Sequence, residues 1–242
     1  MSGGDLTACG TPDYVKECLE ESLRRLGVDT IDLYYIHRID KNTPIELNLS
    51  TGKIRHIGFS QPSPATLCRA HKVHPIAAIQ VEYSPFERAI EQKGHLLEIA
   101  RESGVAVVAY SPLSRGLLTG QITSHSDLSD TDLRKITPRY AQENFPKILE
   151  LVDKFKQIGQ RRNATSGQVA LAYLLALGDD IIPIPGSQRI EYIEENFGAT
   201  QLKLTTDEFE NLKTLVNETR VDGDQYPPFM QEMLYLDTPE LS

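Results

Sequence analysis

Short apolar segments alternate with amphipathic segments along most of the chain, and this alternation constrains the fold more than any other feature. The apolar segments are rich in β-branched and aromatic residues and are too short for helices, so they predict strands. These strands are predicted at 31–36, 54–59, 77–81, 105–110 and 181–184. Because the segments are continuously apolar, they are typical of a parallel sheet that is covered on both faces.

The amphipathic segments between the strands predict helices. The first begins at Thr11-Pro12, where a capping hydroxyl precedes a proline at the first helical position, and it ends at Gly27. Further helices are predicted at about 64–71, 91–103, 145–158, 166–177 and 205–216. Since no change in composition marks a linker, we expect one domain over residues 1–242, with an apolar C-terminal tail over 225–242.

Repeated strand–helix units leave two architectures open, the closed barrel and the open doubly wound sheet. An open nucleotide-binding sheet usually carries a G-x-G-x-x-G turn after its first strand, and no predicted strand is followed by one. In a (β/α)8 barrel, functional residues collect at the carboxyl ends of the strands. Polar residues stand at these ends here, namely His37, Ser60, Gln61, Gln80, Tyr110, Ser111 and Ser187. The pattern therefore favours a barrel.

Composition excludes several classes of function. The formal net charge of −9 argues against nucleic acid as a partner, because phosphate binding needs a basic surface. No apolar run reaches the roughly 20 residues of a membrane helix, and the opening Met1–Asp5 lacks the features of a secretory signal. The three cysteines, Cys9, Cys18 and Cys68, have no metal-ligand spacing. We expect a cytoplasmic protein without a metal.

Four motifs, in order along the chain, resemble the aldo-keto reductase family. SLRRLGVDTIDLYYIHRID at 22–40 resembles the helix, strand and catalytic histidine of the family, and GKIRHIGFS at 52–60 resembles its next strand. AYSPLSRGLLTG at 109–120 and IPIPGSQR at 182–189 resemble its last two cofactor segments. The similarity extends from about Thr11 to Leu236 and is closest in character to microbial and fungal enzymes of the pyridoxal-reductase type. It implies an α/β fold, a (β/α)8 TIM barrel with about five of its eight strands present.

The resemblance implies NADPH-dependent reduction of a small aldehyde or ketone to an alcohol. The family uses a tyrosine as the acid, a lysine and an aspartate that tune it, and a histidine that orients the carbonyl group. In this sequence the resemblance assigns only the histidine, His37. A lone histidine after an apolar strand is more often structural, but the intact surrounding motif favours the substrate-orienting role.

The resemblance also assigns residues to each part of NADPH. Ser60, Gln61 and Gln80 would bind the nicotinamide carboxamide, and Tyr110 would stack on the nicotinamide ring. The alternative interpretations are ordinary hydrogen bonding at strand ends and, for the tyrosine, filling of the core. The segment that covers the pyrophosphate would comprise Ser111, Leu113, Arg115 and Gly116.

The adenosine end of NADPH is assigned to the segment that opens the last matching helix. Gly186, Ser187 and Arg189 would bind the adenosine phosphate, and Glu195 and Asn196 would contact the adenine. An arginine fork matches a phosphate group, so Arg189 would favour NADPH over NADH. The alternative is that Arg189 is a solvated surface charge.

The sequence departs from the family pattern at two places. The strands that carry the family's aspartate, tyrosine and lysine precede the helix that begins here near Thr11, where only ten residues remain. The family also has an amphipathic helix before Gly52-Lys53, where this chain has only the short segment 47–51. We therefore expect poor or no carbonyl reduction by the chain as written, because general acid catalysis supplies about 10²–10⁴-fold.

Three interpretations of this departure stay open. The sequence is an incomplete record of a reductase, a non-catalytic NADPH-binding or regulatory subunit, or the product of a decaying gene. The sequence does not identify the carbonyl substrate, which depends on loops at the barrel mouth. It does not decide the oligomeric state either.

Overall fold

The computed structural model describes residues 8–48 and 52–241. The expectations for Met1–Asp5, and in part those for the segment 47–51, therefore lie outside the described residues. The described residues divide into two compact units. The first unit contains those within 8–81, 91–107 and 232–241, and the second contains 82–90 and 108–231. The expectation of a single domain with a C-terminal tail stays a prediction.

The described residues contain five strands, and their order in the sheet is β1-β2-β3-β4-β5. The pairs β1–β2 and β2–β3 are parallel. Each predicted strand is confirmed to within one residue at either end. Their bounds are β1 Ile31–Ile36, β2 Ile54–Ser60, β3 Ile76–Glu82, β4 Ala106–Tyr110 and β5 Ile181–Ile184.

Helices separate most of the strands, as the alternation in the sequence predicts. Half of them stand next to a short 3-10 turn in the order of elements, and such turns are concentrated between β4 and the fourth helix. The α-helices are α1 Pro12–Leu26, α2 Pro64–Val73, α3 Leu96–Glu102, α4 Phe145–Arg162, α5 Ser166–Ala176, α6 Ile190–Gly198, α7 Thr206–Glu218 and α8 Pro228–Gln231.

The helix ends follow local chemistry. Gly27 adopts a left-handed conformation with φ of 67°, and its N–H donates to the Leu23 carbonyl at 2.9 Å, which ends α1 as predicted. Thr165 and Thr205 each form a capping box, with Gln168 and Glu208 respectively, at the start of α5 and α7.

The predicted start of α3 at about residue 91 was wrong, because the helix begins at Leu96. Gly94 has a φ of 75°, which a right-handed helix does not admit, and its N–H donates to the Glu98 carboxylate at 2.7 Å. The Glu98 carboxylate thus accepts a hydrogen bond from a backbone N–H that precedes the helix. The chain forms a turn at this point, and α3 starts later than predicted.

The apolar core of the first unit lies on the central strands and on the helices that follow them. Phe59 on β2, Ile79 on β3, Leu67 on α2 and Leu96 on α3 are completely buried. β1 stands at one end of the strand order, and none of its residues is fully buried. The core of this unit is therefore built mainly on β2 and β3.

The second unit has a core built by its long helices. Phe155 of α4 and Tyr173 of α5 are buried and meet edge to face, with ring centroids 6.3 Å apart. Leu212 and Val216 of α7 are also completely buried. The edge-to-face geometry of Phe155 and Tyr173 is a preferred arrangement of aromatic rings and fixes α4 against α5.

Gly58 is the position where the close approach of two strands requires a glycine. A β-carbon added there would overlap the ring of Tyr35 on the neighbouring strand. We expect Gly58→Ala to lower the free energy of unfolding by about 1–3 kcal/mol, the usual effect of overpacking. In the Tyr35→Ala background the same change has no ring to meet, so the loss should be smaller by at least about 0.5 kcal/mol. Denaturant unfolding of the four proteins of this cycle measures the difference, and additive losses would contradict the steric explanation.

Candidate ligand-binding site

In the first unit, strand pairing places several of the predicted residues at neighbouring strand ends. Ser60 on β2 is the register partner of Gln80 on β3, and the N–H of Gln61 donates to the Gln80 carbonyl at 2.9 Å. Ile36, the last residue of β1, is aligned with Phe59, so His37 follows at the same end of the sheet. The carboxyl ends of parallel strands thus bring His37, Ser60 and Gln80 to one edge, as the sequence predicts.

The imidazole of His37 is exposed and forms no hydrogen bond with the residues that the structure describes. Partial burial of the ring, and then the neighbouring cation of Arg38, lower the pKa of His37 below its usual range. Arg38 donates from Nη1 to the His37 carbonyl at 3.0 Å and to Ser60 Oγ at 3.3 Å. His37 is therefore neutral at pH 7 and offers one N–H donor to a ligand.

Gln61 is held in a strained backbone conformation. It is buried, and its φ of 47° lies in the left-handed region, which non-glycine residues seldom occupy. Its carbonyl accepts a hydrogen bond from the N–H of Tyr235 at 3.0 Å, so the C-terminal segment of the same unit fixes this conformation. Strain of this kind is concentrated at binding sites, and it marks Gln61 as a candidate.

The second unit contains a cavity of about 700 Å³, within the usual size range of small-molecule sites. One wall is the segment after β4, and the other is the segment from the end of β5 into α6. Eight of the ten cofactor residues that the resemblance places in this unit line the cavity. They are Tyr110, Ser111, Leu113, Arg115, Gly116, Gly186, Glu195 and Asn196.

The wall after β4 is a loop with an unusual backbone. Ser111, Ser114, Arg115 and Gly116 all have positive φ, between 50° and 92°. Each such non-glycine residue costs about 1–3 kcal/mol, so the surrounding contacts must hold the loop firmly. One of these contacts is a hydrogen bond between Ser84 Oγ and Ser114 Oγ at 2.8 Å, and both residues are buried.

The guanidinium of Arg115 interacts with a carboxylate, a backbone carbonyl and two aromatic rings of the protein. It donates to the Glu82 carboxylate at 3.2 Å and to the Gln225 carbonyl at 2.8 Å. Its Cζ lies 4.5 Å from the ring centroid of Tyr226 and 5.6 Å from that of Tyr140. Arg115 is therefore bound between two aromatic rings, and its assignment to the pyrophosphate stays a prediction.

Glu82 is the ionic partner of Arg115, and its side chain is only 1% exposed. Burial raises the pKa of Glu82 from 4.5 to about 7, although the nearby Arg115 cation opposes this effect. The same cluster contains a second buried ion pair, between Arg139 and Glu87. Burial also raises the pKa of Tyr140, so its phenol stays protonated at neutral pH.

The opposite wall of the cavity is anchored to α5. The carboxylate of Glu195 accepts a hydrogen bond from Thr165 Oγ at 2.7 Å, and its backbone carbonyl accepts one from Gln168 Nε2 at 2.9 Å. Asn196 forms no hydrogen bond through its side chain with the residues that the structure describes. The wall thus presents an oriented carboxylate and an available amide.

Ser187 and Arg189 do not line this cavity. Ser187 Oγ accepts from the Arg189 N–H at 3.2 Å and donates to the Arg189 carbonyl at 3.0 Å, so the two residues form a local turn before α6. The exposed guanidinium of Arg189 lies 5.5 Å from the ring centroid of Tyr192, which does line the cavity. Arg189 is consequently close to the rim of the cavity rather than within its wall.

Two polar residues of the cavity wall, Arg134 and Tyr192, were not predicted from the sequence. Arg134 lines the cavity, is bound to the Asp132 carboxylate at 2.6 Å, and donates from Nη1 to the Arg115 carbonyl at 2.6 Å. Tyr192 accepts a hydrogen bond from Gln121 Nε2 at 3.3 Å. Arg134 lies in an irregular segment without a periodic pattern, so no signal identified it. Tyr192 lies in a helix three residues before Glu195, and helical spacing alone could have indicated it.

The described residues contain neither a membrane-spanning helix nor a metal-ligand cluster. No helix there has both the length and the apolar character that crossing a membrane requires. Within residues 8–48 and 52–241, no group of three or more histidine, cysteine, aspartate or glutamate side chains could hold a metal ion.

These elements define an α/β protein with a five-stranded sheet. A polar cavity that contains arginines lies after β4 and β5. Residues 3–217 match the model of the Aldo/keto reductase family. The chain therefore belongs to the aldo/keto reductase family, whose members are oxidoreductases that act on small-molecule carbonyl compounds.

Individual relatives agree with this assignment. "Aldo-keto reductase str7" from Strobilurus tenacellus is 50% identical over 240 residues, which cover 96% of this chain and 71% of the relative. "Aldo-keto reductase yakc [NADP(+)]" from Schizosaccharomyces pombe is 44% identical over 246 residues, which cover 98% of this chain and 72% of the relative. The structure of the glycerol dehydrogenase AKR11B4 from Gluconobacter oxydans is similar with a TM-score of 0.77 and 30% identity. This chain spans 66% of that solved chain, and 88% of this chain is covered.

The buried Glu82 carboxyl should make the stability of the protein depend on pH. Because its pKa is raised when folded, the folded state holds the proton more tightly, and stability is lost as pH rises from about 4.5 to about 7. We expect the free energy of unfolding to fall over this window by up to about 3 kcal/mol relative to Glu82→Gln, which cannot titrate. Urea unfolding at several pH values measures this. The exposed Glu143→Gln is the control, and a difference between the wild type and Glu82→Gln that is independent of pH would contradict the burial argument.

Proposed function

We propose that this chain binds NADPH and that the protein is an NADPH-dependent reductase of small aldehydes or ketones. The observation that carries the proposal is the cavity of about 700 Å³, which brings together eight residues that the sequence assigns to the cofactor. The name of the Schizosaccharomyces pombe relative, which includes NADP(+), supports the choice of cofactor.

The chemistry of the cavity wall fits a dinucleotide phosphate. Two arginines, Arg115 and Arg134, line it, and the exposed cation of Arg189 lies beside its rim on Tyr192. Among the acidic residues of the described chain, only Glu195 lines this cavity, and its carboxylate is bound to Thr165 Oγ. The cations that line the cavity therefore outnumber the acids that line it, although Arg115 is paired with Glu82 and Arg134 with Asp132.

The reaction divides between cofactor and protein. NADPH, when bound, supplies a hydride to the carbonyl carbon. His37, neutral and with an N–H donor available, orients a carbonyl oxygen, while Ser60 and Gln80 offer hydrogen-bonding groups for a carboxamide. Reduction also needs a proton donor beside the carbonyl oxygen, and the resemblance assigns that role to no residue of this sequence.

Binding and turnover therefore have to be measured separately. We expect saturating NADPH, at 100 times its dissociation constant, to stabilise the folded chain by about 2.7 kcal/mol, visible as a shift in thermal unfolding. Oxidation of NADPH with a panel of aldehydes then distinguishes a reductase from a non-catalytic NADPH-binding subunit. A transition that is indifferent to NADPH would contradict the proposal.

The preference for NADPH should depend on Arg189. Loss of an arginine–phosphate contact removes about 1.5–3 kcal/mol, so Arg189→Ala should weaken NADPH binding by roughly tenfold to a hundredfold. The affinity for NADH, which has no adenosine 2′-phosphate, should change little. Titration calorimetry with both cofactors measures the two effects.

The control for this experiment is Arg161→Ala. Arg161 is an exposed cation of α4 that does not line the cavity, so its removal changes the net charge equally. Equal losses in the two variants, or an equal loss of NADH and NADPH binding in Arg189→Ala, would show that Arg189 does not contact the phosphate.

A further inference from the structure

The segment 222–226 follows α7 and is fixed through its backbone. The amide group of Asn144 donates to the Asp222 carbonyl at 2.7 Å, and the backbone N–H of Arg139 donates to the Asp224 carbonyl at 3.2 Å. These residues belong to the same unit as the cavity. Because its carbonyl groups are bound by buried residues, the segment has little freedom to move.

Arg115 continues this series of contacts. Its guanidinium donates to the Gln225 carbonyl at 2.8 Å, and its Cζ lies 4.5 Å from the ring centroid of Tyr226. Its Nη1 is buried and has no hydrogen-bond partner among the residues that the structure describes. The ionic partner that keeps this cation inside is Glu82, at 3.2 Å. A largely buried guanidinium of this kind is stabilised by such a partner, so Glu82 helps to determine where the guanidinium lies.

The series ends at the cavity. The hydroxyl of Tyr226 lies 3.2 Å from the hydroxyl of Tyr110, at hydrogen-bonding distance. Tyr110 lines the cavity at the end of β4, where the sequence assigns it to stacking on the nicotinamide. An unbroken set of contacts thus connects the Glu82 carboxylate, through Arg115 and Tyr226, to the ring of Tyr110.

We propose that Glu82, Arg115 and Tyr226 are positioning residues that hold the ring of Tyr110 for cofactor stacking, an inference that rests on the proposed NADPH binding. Arg115 is part of the cavity wall and orders it through these contacts, rather than binding the pyrophosphate directly. Preorganisation of this kind raises affinity, because the ring does not have to be ordered when the ligand binds.

The ionisation of Glu82 then affects cofactor binding. The charged groups that face its carboxyl are Arg115, Glu87 and Arg139, with the neutral phenol of Tyr140 beside them. Burial raises the pKa of Glu82 to about 7, so its charge changes near neutral pH. When the carboxylate is protonated, its attraction for Arg115 weakens, and the positioning of Tyr226 and Tyr110 weakens with it.

The first test compares Glu82→Gln with the exposed control Glu143→Gln. The dissociation constant of NADPH is measured between pH 6 and pH 8 for both variants and for the unchanged chain. We expect the unchanged chain and the control to bind about threefold more tightly at pH 8 than Glu82→Gln does, with the difference closing towards pH 6. Titration of the cofactor phosphate is common to all three proteins and cancels in this comparison.

The second test removes only the final hydroxyl contact. Tyr226→Phe keeps the ring on Arg115 but cannot bond to Tyr110, and Tyr14→Phe is the matched control at an exposed tyrosine. We expect Tyr226→Phe to weaken NADPH binding about threefold to tenfold, with the pH dependence retained. This variant keeps the proposal testable if Glu82→Gln does not fold.

Hydrogen exchange separates failure of this inference from failure of the proposed function. If the unchanged chain binds no NADPH, the proposed function fails, and exchange in Glu82→Gln still tests the positioning contacts. Faster exchange of backbone amides at 110–116 and 222–226 than in Glu143→Gln would support the inference. Unchanged exchange in these segments, or NADPH affinities in Glu82→Gln and Tyr226→Phe equal to their controls, would overturn it.

Discussion

A carboxylate buried as deeply as that of Glu82 requires a cation, and this requirement organises the second unit around Arg115. The Glu82 side chain is 1% exposed, and either a neighbouring cation or protonation of the carboxyl itself compensates for the hydration that it loses. Arg115 meets this requirement and in turn binds the Gln225 carbonyl and the ring of Tyr226. The strained loop that forms one cavity wall is therefore anchored by an interaction behind it.

In the first unit, backbone pairing has the corresponding role. Ser60 and Gln80 are adjacent because parallel register aligns the ends of β2 and β3, and Gln61 is fixed by the Gln80 carbonyl and the Tyr235 N–H. The side chains at these strand ends need no buried charges to be placed. This unit thus obtains its geometry from the sheet, whereas the second obtains its cavity wall from an ionic and aromatic cluster.

The sequence predicted the regular elements well, because each depends on nearby residues. The start of α1 follows from Pro12 at the first helical position and its end from the Gly27 cap, although the predicted capping hydroxyl of Thr11 forms no capping hydrogen bond. All five strands follow from short apolar segments. The error at α3 has a local cause as well, since Gly94 and Glu98 arrange a turn in place of the first helical residues. The irregular segment from 111 to 144 could not be predicted, because its 3-10 turns and positive φ values depend on contacts with distant residues.

The sequence by itself determined the family, the order of the elements and half of the residues around the cavity, since motifs and strand ends are properties of neighbouring residues. Only the tertiary structure decided how the individual charges are used. It turned the guanidinium of Arg115 towards Glu82, placed Arg134 in the cavity wall, and left Arg189 exposed on Tyr192 at the rim. For Arg115 the physical reason is that the position of its guanidinium depends on where the Glu82 carboxylate has lost its water. That loss occurs only when residues far apart in the chain, such as Glu82 and Arg115, are packed together.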